Sequence, residues 1–365
     1  MQYARLGDYV NIKTGKLDAN AAVENGQYPF FTCSKEISSI DSYSYDTECV
    51  LVAGNGDLNV KYYNGKFDAY QRTYIIENKE NSIFYVKYIY YFMSRYILEL
   101  KKQTVGGIIK FIKLGNLTEA KIPIYSKEKQ KDIIDFFDNF NSTITNKIHE
   151  LEILDNLIKS QFIEMFGNPL SNEKCFKKGK VGDYTIDIRY GTSKPADIDG
   201  IYPYLRMNNL TYDGYLDSSD LKFINLQDEE LEKYSIKYGD VLFNRTNSIE
   251  LIGKTACYLE SEVKVIAGYI IRVRFNDEIN PIYFTKYMNL PSTKKILQNI
   301  AKGAVNQANI NAKELADLDL LCPPKPLQDQ FAAIVEQIDK SKYILQKQVD
   351  ALQELLDSKM EEFFG

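Results

Sequence analysis

Asparagine, arginine and lysine side chains gather in a few short polar stretches of this chain, and their chemistry is recognition rather than bond-making. In the C-terminal half they are Arg189, Ser193 and Lys194, then Arg206, Asn208 and Asn209, then the run Arg245, Thr246, Asn247 and Ser248. In the N-terminal half they are Asn55, Asn59, Lys61, Gln71 and Arg72, with Lys110 further on. Lys302 and Asn306 extend the set toward the C-terminus. Guanidinium forks and carboxamides match the donor and acceptor pairs on the edges of nucleobases, whereas Lys, Ser, Thr and backbone N–H groups suit phosphate oxygens. Turns and strand edges use the same residue types, so that alternative stays open at each position.

Residues suited to catalysis form no pattern. The single histidine, His149, lies inside a helical pattern, where a solvated surface position is the simpler reading. There is no GxGxxG, no phosphate loop of the form GxxxxGK[ST] and no GxSxG elbow. Gly167-Asn-Pro-Leu170 begins like the Asn-Pro-Pro-aromatic motif of adenine methyltransferases but lacks its second proline and its aromatic residue. The 50 acidic residues include no spacing that selects a catalytic pair. Five scattered cysteines without a CxxC pair suggest buried free thiols in a reducing cytosol, not disulfides or zinc. No apolar run approaches membrane-spanning length.

The formal net charge of −5 argues against a nucleic-acid binder, which is more commonly basic. Its distribution partly answers this. Residues 100–118 carry Lys101, Lys102, Lys110 and Lys113 without an acid, and residues 279–313 carry Lys286, Lys294, Lys295, Lys302 and Lys313 without one. Each stretch holds small residues where backbone could approach a phosphate, Gly106-Gly107 in one and Gly303-Ala304 in the other. Either stretch alone reads as a solvated lysine face; the repetition favours a phosphate-facing role.

What must position these residues is a duplicated scaffold. Residues 117–167 align with 315–365 at one fixed offset of 198 (315 − 117), so that Leu117 meets Leu315, Gln130 meets Gln328 and both copies end in Phe-Gly. Leu6-Gly-Asp-Tyr9 is echoed by Val181-Gly-Asp-Tyr184. Internal duplication decides the architecture before local reasoning begins. Apolar residues at Phe137, Ile144, Leu151, Ile158 and Phe162, and at Phe331, Ile338, Leu345, Leu352 and Leu356, fall on helical stripes. Each stripe predicts a helix of about 40 residues, roughly 60 Å long. A solitary helix of that length needs a partner, and the other copy is the obvious one. The preceding segments read as mixed strand and helix. Strands are predicted at 49–53, 72–76, 239–243 and 263–273, and matched helices at 86–102 and 281–300. The fold class is α+β: two mixed globules and two long helices packed as an antiparallel coiled coil, related by a pseudo-two-fold internal repeat.

On these motifs the chain resembles the DNA-specificity subunits of type I restriction–modification systems. The resemblance rests on Arg189-Tyr-Gly-Thr-Ser-Lys194, Tyr204-Leu-Arg-Met-Asn-Asn-Leu210, Gly239-Asp-Val-Leu-Phe-Asn-Arg-Thr-Asn-Ser248 and Gly253-Lys254, and on both long helices. It covers almost the whole chain and is looser in the first globule. It implies target-recognition domains at 1–125 and 168–324, with spacer helices at 126–167 and 325–365. It implies a non-catalytic, cytoplasmic subunit that reads split double-stranded DNA, one half with each globule, while the helices set the gap. It implies two modification subunits carrying S-adenosylmethionine, and restriction subunits using ATP and magnesium, with no cofactor bound by this chain and no membrane contact. The rival expectations are a non-DNA scaffold, with two ligand-binding globules on a dimerising coiled coil, and a stand-alone enzyme whose site uses carboxylates.

Overall fold

A computed structural model of the chain describes residues 2–104, 110–304 and 307–365. Contacts divide the chain into two compact units, Met1–His149 with Gln346–Gly365, and Glu150–Leu345. The first unit runs through β1 (Tyr3–Arg5), α1 (Leu6–Tyr9), β2 (Val10–Thr14), β3 (Tyr28–Phe31), β4 (Ser38–Ile40), β5 (Tyr45–Ala53), β6 (Val60–Ala69) and β7 (Thr73–Asn78). There follow α2 (Val86–Gln103), α3 (Leu114–Thr118), β8 (Lys121–Pro123) and the long helix α4 (Lys127–Phe166). One sheet has the order β2-β7-β5-β6-β3-β4, antiparallel throughout except for β3 against β6. The centre of β5 is apolar on both faces because both are covered. Val50 and Val52 face the core that holds α2, while Cys49 and Leu51 join Phe31 and Phe67 on the other side.

The second unit follows the same route with interruptions. It contains β9 (Lys177–Lys180), β10 (Thr185–Tyr190), β11 (Tyr202–Leu205), β12 (Lys222–Ile224), α5 (Asp228–Tyr234), β13 (Ser235–Ile236), β14 (Val241–Asn244), β15 (Thr246–Asn247), β16 (Thr255–Cys257), β17 (Lys264–Ile266) and β18 (Ile270–Phe275). Then come α6 (Pro281–Met288), α7 (Pro291–Ile300), β19 (Lys302–Ala304), β20 (Gln307–Asn309), α8 (Ala312–Ala316), β21 (Asp319–Cys322) and α9 (Lys325–Phe364). The neighbours β2-β7-β5 of the first unit correspond to β10-β18-β14. The single hairpin β5–β6 corresponds to two pairs in separate sheets, β14 with β16 and β13 with β17. The parallel contact of β3 on β6 returns as β11 on β17.

Two predicted elements divide in the structure. The strand expected over 263–273 is β17 and β18, in different sheets. Ile270 N donates to Ala267 O at 2.8 Å, closing a turn at Gly268 where the chain changes sheet. The helix expected over 281–300 is α6 and α7, because Pro291 lacks an N–H to continue the ladder and the preceding Leu290 is extended. The cysteines are all free, but where buried thiols were expected only Cys49 is buried: Cys33, Cys257 and Cys322 are half-buried and Cys175 is exposed. His149 is an exposed residue of α4. Among the described residues no helix is long and apolar enough to cross a membrane.

Both long helices span 40 residues. In the first unit Phe137 of α4 packs on Phe363 and Phe364 of α9, and Lys147 Nζ donates to Gln348 Oε1 at 2.7 Å. In the second, Phe162 and Phe166 pack on Phe331, and Lys342 pairs with Asp155. Within each unit, positions rise along α4 as they fall along α9. A buried glutamine fixes the start of each helix in the same way. Gln130 accepts from Tyr85 N and donates to Ile83 O and Tyr125 O; Gln328 accepts from Asn280 N and donates to Glu278 O and Pro323 O. Both are fully buried, so each hydrogen bond satisfies a group that water cannot reach.

Candidate nucleic-acid interface

In the second unit, the loops following β10, β11 and β14 surround a cleft of about 610 Å³. Lys194, Arg206, Lys222 and Arg245 line it together with Ser193, Asn208 and Tyr269, and no carboxylate is among the described residues that line it. Lys194 and Arg206 pair with carboxylates just outside this lining, whereas Lys222 and Arg245 have no ion pair among the described residues, so the cleft keeps a surplus of positive charge on a chain whose net charge is negative. Five of the residues singled out in the sequence meet here: Ser193, Lys194, Arg206, Asn208 and Arg245.

Their environments differ. Lys194 Nζ sits 2.6 Å from Glu230 Oε2, and both side chains remain partly exposed. One Nη of Arg206 donates to the backbone oxygen and the carboxylate of Asp220, at 3.0 and 2.9 Å. Asn209 is buried and turned inward: its amide donates to Asp217 O and Asp220 O, and its oxygen accepts from Arg206 N. That carboxamide holds the loop from which Arg206 and Asn208 project. Arg245 lies differently. Its guanidinium carbon is 4.8 Å from the centre of the Tyr190 ring, and among the described residues it forms no ion pair and its buried Nε has no hydrogen-bond partner.

Thr246 and Asn247 form β15 against β20, which also carries β19, so that Lys302 and Thr246 both face Asn309 in register. Thr246 donates its hydroxyl to Asn309 Oδ1 at 2.9 Å, and Asn247 Oδ1 accepts from Ser248 N. Lys302 is exposed and paired with Glu314 at 2.5 Å. Arg189 stands on β10 beside Asp187, 3.3 Å away, and does not line the cleft. Asn306 and the Gly106-Gly107 pair lie outside the described residues.

The first unit gathers its candidates at the corresponding sheet end. Gly54 N donates to Arg72 O at 2.8 Å and Gly54 O accepts from Ile112 N at 3.0 Å. Asn55 bridges to Phe111, and Gly56 N donates to Lys110 O. Asn55, Gln71, Arg72 and Lys110 thus share one edge, with Gln71, Arg72 and Lys110 exposed. Asn59 and Lys61 serve a neighbouring loop. Asn59 donates to Cys33 O at 2.8 Å, Lys61 donates to Ser34 O at 2.6 Å, and Lys61 also bonds the Asn59 oxygen. Burial holds the Lys61 ammonium below its ordinary pKa.

The same node exists in both units. Arg245 N donates to Tyr269 O at 3.0 Å, and Arg245 O accepts from Ile310 N at 2.9 Å. Gly54 and Arg245 are therefore equivalent in backbone bonding, as are Arg72 and Tyr269. A methyl group added at Gly54 would lie 2.4 Å from Arg72 O, so its strand is closed to side chains at that point.

Two lysines read as part of a phosphate-facing stretch turn inward. Lys294 is buried, donates to Gly253 O at 2.6 Å and has its pKa brought down to about 7, first by burial and then by repulsion from Lys254. Lys286 Nζ bonds the Tyr215 hydroxyl at 3.0 Å and is likewise lowered by burial. Helices α6 and α7 are amphipathic, and these ammonium groups find carbonyl, hydroxyl and aromatic partners inside. In the first stretch, Lys101 and Lys102 meet Asp57 and Glu99 at 3.7 and 2.8 Å, so a local lack of acids in sequence is not a lack of acids in space. Tyr190 and Tyr269 were not singled out from the sequence. Among 28 tyrosines only their closeness to Arg245 distinguishes them, and that closeness joins three separate segments.

Comparison with known proteins bears on the family and the fold. The profile of the family described as the type I restriction modification DNA specificity domain matches residues 1–155 and 189–354. The chain is 26% identical over 370 residues to the type I restriction enzyme EcoDI specificity subunit of Escherichia coli, covering 94% of this chain and 82% of that protein. It is 24% identical to the EcoKI specificity subunit of Escherichia coli K12, over 70% of this chain and 59% of that one. Among solved structures, a type I restriction–modification system S subunit from M. genitalium superposes with a TM-score of 0.62 at 16% identity, covering 100% of this chain and 96% of that chain. A chain solved in work on complex assembly and conformational transition of the type I R-M system gives 0.59 at 12% identity, over 100% and 97%. At these identities the two structures speak to the fold alone. With the profile spanning most of its length, the chain belongs to the type I restriction–modification DNA specificity family.

Proposed function

We propose that this chain is the specificity subunit of a type I restriction–modification complex and reads a split, asymmetric DNA sequence, one half with each globule. The observation that carries this reading is the second unit's cleft, lined by four cations and no carboxylate, in a chain of net charge −5. Duplex DNA is the ligand for which such a local field, faced with guanidinium and carboxamide groups, is suited.

The reading extends to the helices. α4 and α9 act as an antiparallel coiled coil that spaces two target-recognition domains, 1–125 and 168–324, related by a pseudo-two-fold repeat. The paired phenylalanines and matched glutamines support it. The length of the helices then sets the number of unread base pairs. Two modification subunits carrying S-adenosylmethionine dock along the helices, where Ile153 and Leu157 of α4 stay exposed, and methylate an adenine flipped from the stack. Restriction subunits supply the ATP- and magnesium-dependent step. This chain does no chemistry itself and works in the cytoplasm.

The test is co-purification with the neighbouring modification subunit, followed by gel shift on duplexes carrying the mapped methylation motif. The expected result is a complex whose affinity falls 10-fold or more as salt rises from 50 to 200 mM, as multiple phosphate contacts require. Affinity insensitive to salt, or no stable complex with the modification subunit, would reject the reading.

A further inference from the structure

We infer that Arg245 is the guanine-reading residue of the second globule, held in reading geometry by the ring of Tyr190. The inference rests on the DNA-reading role proposed above and assigns one base contact within it. Of the four cationic side chains lining the cleft, Lys222 carries an ammonium with no planar fork, and Arg206 and Lys194 already have carboxylate partners, Asp220 and Glu230. Arg245 has none among the described residues, although its Nε is buried. Its guanidinium lies over the Tyr190 ring, 4.8 Å from the ring centre. That ring is fixed in turn, because its hydroxyl accepts from Ala312 N at 2.8 Å.

The backbone of Arg245 is pinned at both groups, by Tyr269 O and Ile310 N. Backbone and guanidinium face are thus restrained before any ligand arrives, and less rotamer freedom remains to be lost on binding. The contact with the ring restrains the guanidinium and leaves N–H donors of its fork for a planar pair of acceptors. On DNA that pair is O6 and N7 of guanine in the major groove. A phosphate also offers two oxygens to a planar fork, so base-by-base substitution is what separates a guanine contact from a phosphate contact.

The experiment uses the full chain in complex with its modification subunits. Binding is measured on duplexes in which each base pair of the mapped motif is replaced in turn. The wild-type complex should require a G·C pair at one position of the half-site read by the second globule. Arg245→Ala should reduce discrimination at that single pair by about 10- to 100-fold, leaving the other half-site and the salt slope unchanged. Arg245→Lys, which keeps the charge and loses the fork, should lose the same discrimination. Tyr190→Leu should lose part of it, and thermal unfolding of each variant separates misfolding from lost recognition. Uniform weakening across all sequences, with a salt slope shallower by about one, would make Arg245 a phosphate contact and overturn the assignment. A wild-type complex that binds the split duplex while Arg245→Ala changes no single position removes this assignment alone. A wild-type complex that binds no split duplex removes the DNA reading and the assignment together.

Discussion

The node at Gly54 and Arg72 in the first unit and the node at Arg245 and Tyr269 in the second are built from the same backbone hydrogen bonds but carry different side chains. In the first, the arginine belongs to the returning strand and the position opposite must be glycine, because a Cβ would strike Arg72 O. In the second, the arginine sits at the glycine's place and a tyrosine occupies the returning strand. Arg72 is exposed and has no aromatic partner among the described residues, whereas Arg245 is braced by Tyr190. The difference separates two jobs. Backbone bonds and buried glutamines hold a frame that is the same twice, and the side chains mounted at its end vary. A protein that must read two unrelated half-sequences needs that separation, since a frame depending on the reading residues could not tolerate their exchange.

The sharpest break of the comparison acts on the frame's spacing. Insertion of four residues beside Asn146 adds one helical turn, about 6 Å, which is between one and two base pairs of duplex. The expected outcome is complete loss of methylation at the original motif and its appearance at a motif with a longer gap and both halves intact. Altered half-sites in the methylome would refute the spacing role. Next in size is the glutamine pair. Gln130→Ala and Gln328→Ala each remove three hydrogen bonds made by a fully buried carboxamide, and each should destabilise its own unit by about 3 kcal/mol. Amide hydrogen exchange on the intact chain locates the effect; a large loss for one variant and none for the other would end the equivalence of the two frames.

A smaller effect tests the nodes themselves. Gly54→Ala should cost about 2 kcal/mol, because carbonyl and methyl cannot share the space. Arg245→Ala at the equivalent backbone position should change stability by less than about 0.5 kcal/mol, since it removes a side chain that holds nothing in place. Chemical denaturation of both variants decides it, and equal losses would contradict the division between frame and reading residue. The smallest effect concerns pH. Lys294 has a folded pKa of about 7 against an ordinary 10.5, lowered chiefly by burial. Between those values the unfolded chain holds a proton that the folded chain has released, so stability rises with pH from about 7 toward 10. Below pH 7 both states are protonated and the burial penalty stands in full. Exchange protection in the second unit should therefore increase from pH 7 to 9, and Lys294→Met should flatten that increase. No slope in the wild type would remove the buried-ammonium account.

The two long helices and the glutamines at their starts were legible in the sequence because they constrain residue identity. Gln130 and Gln328 each satisfy three backbone groups that no other side chain reaches in the same way, and the apolar stripes of α4 and α9 follow helical spacing over their full length. The interruptions of the second unit were less legible. A β-branched run across 263–273 looks continuous, and only the sheet exchange at Gly268 divides it. Asn208 and Asn209 are adjacent and chemically alike, yet one faces the cleft and the other is buried as a loop anchor, a distinction set by tertiary bonding alone. Lys294 read as phosphate-facing because its partners, Gly253 and Tyr212, are distant in sequence.

The central claim is that two unlike globules on one repeated frame read two parts of a single DNA site. Long-read methylome sequencing of the host, with and without the gene for this chain, tests it most directly. The account predicts a methylated motif of two different specific halves around a fixed unread gap, present with the gene and absent without it. A continuous motif, or a methylome unchanged by the deletion, would contradict it.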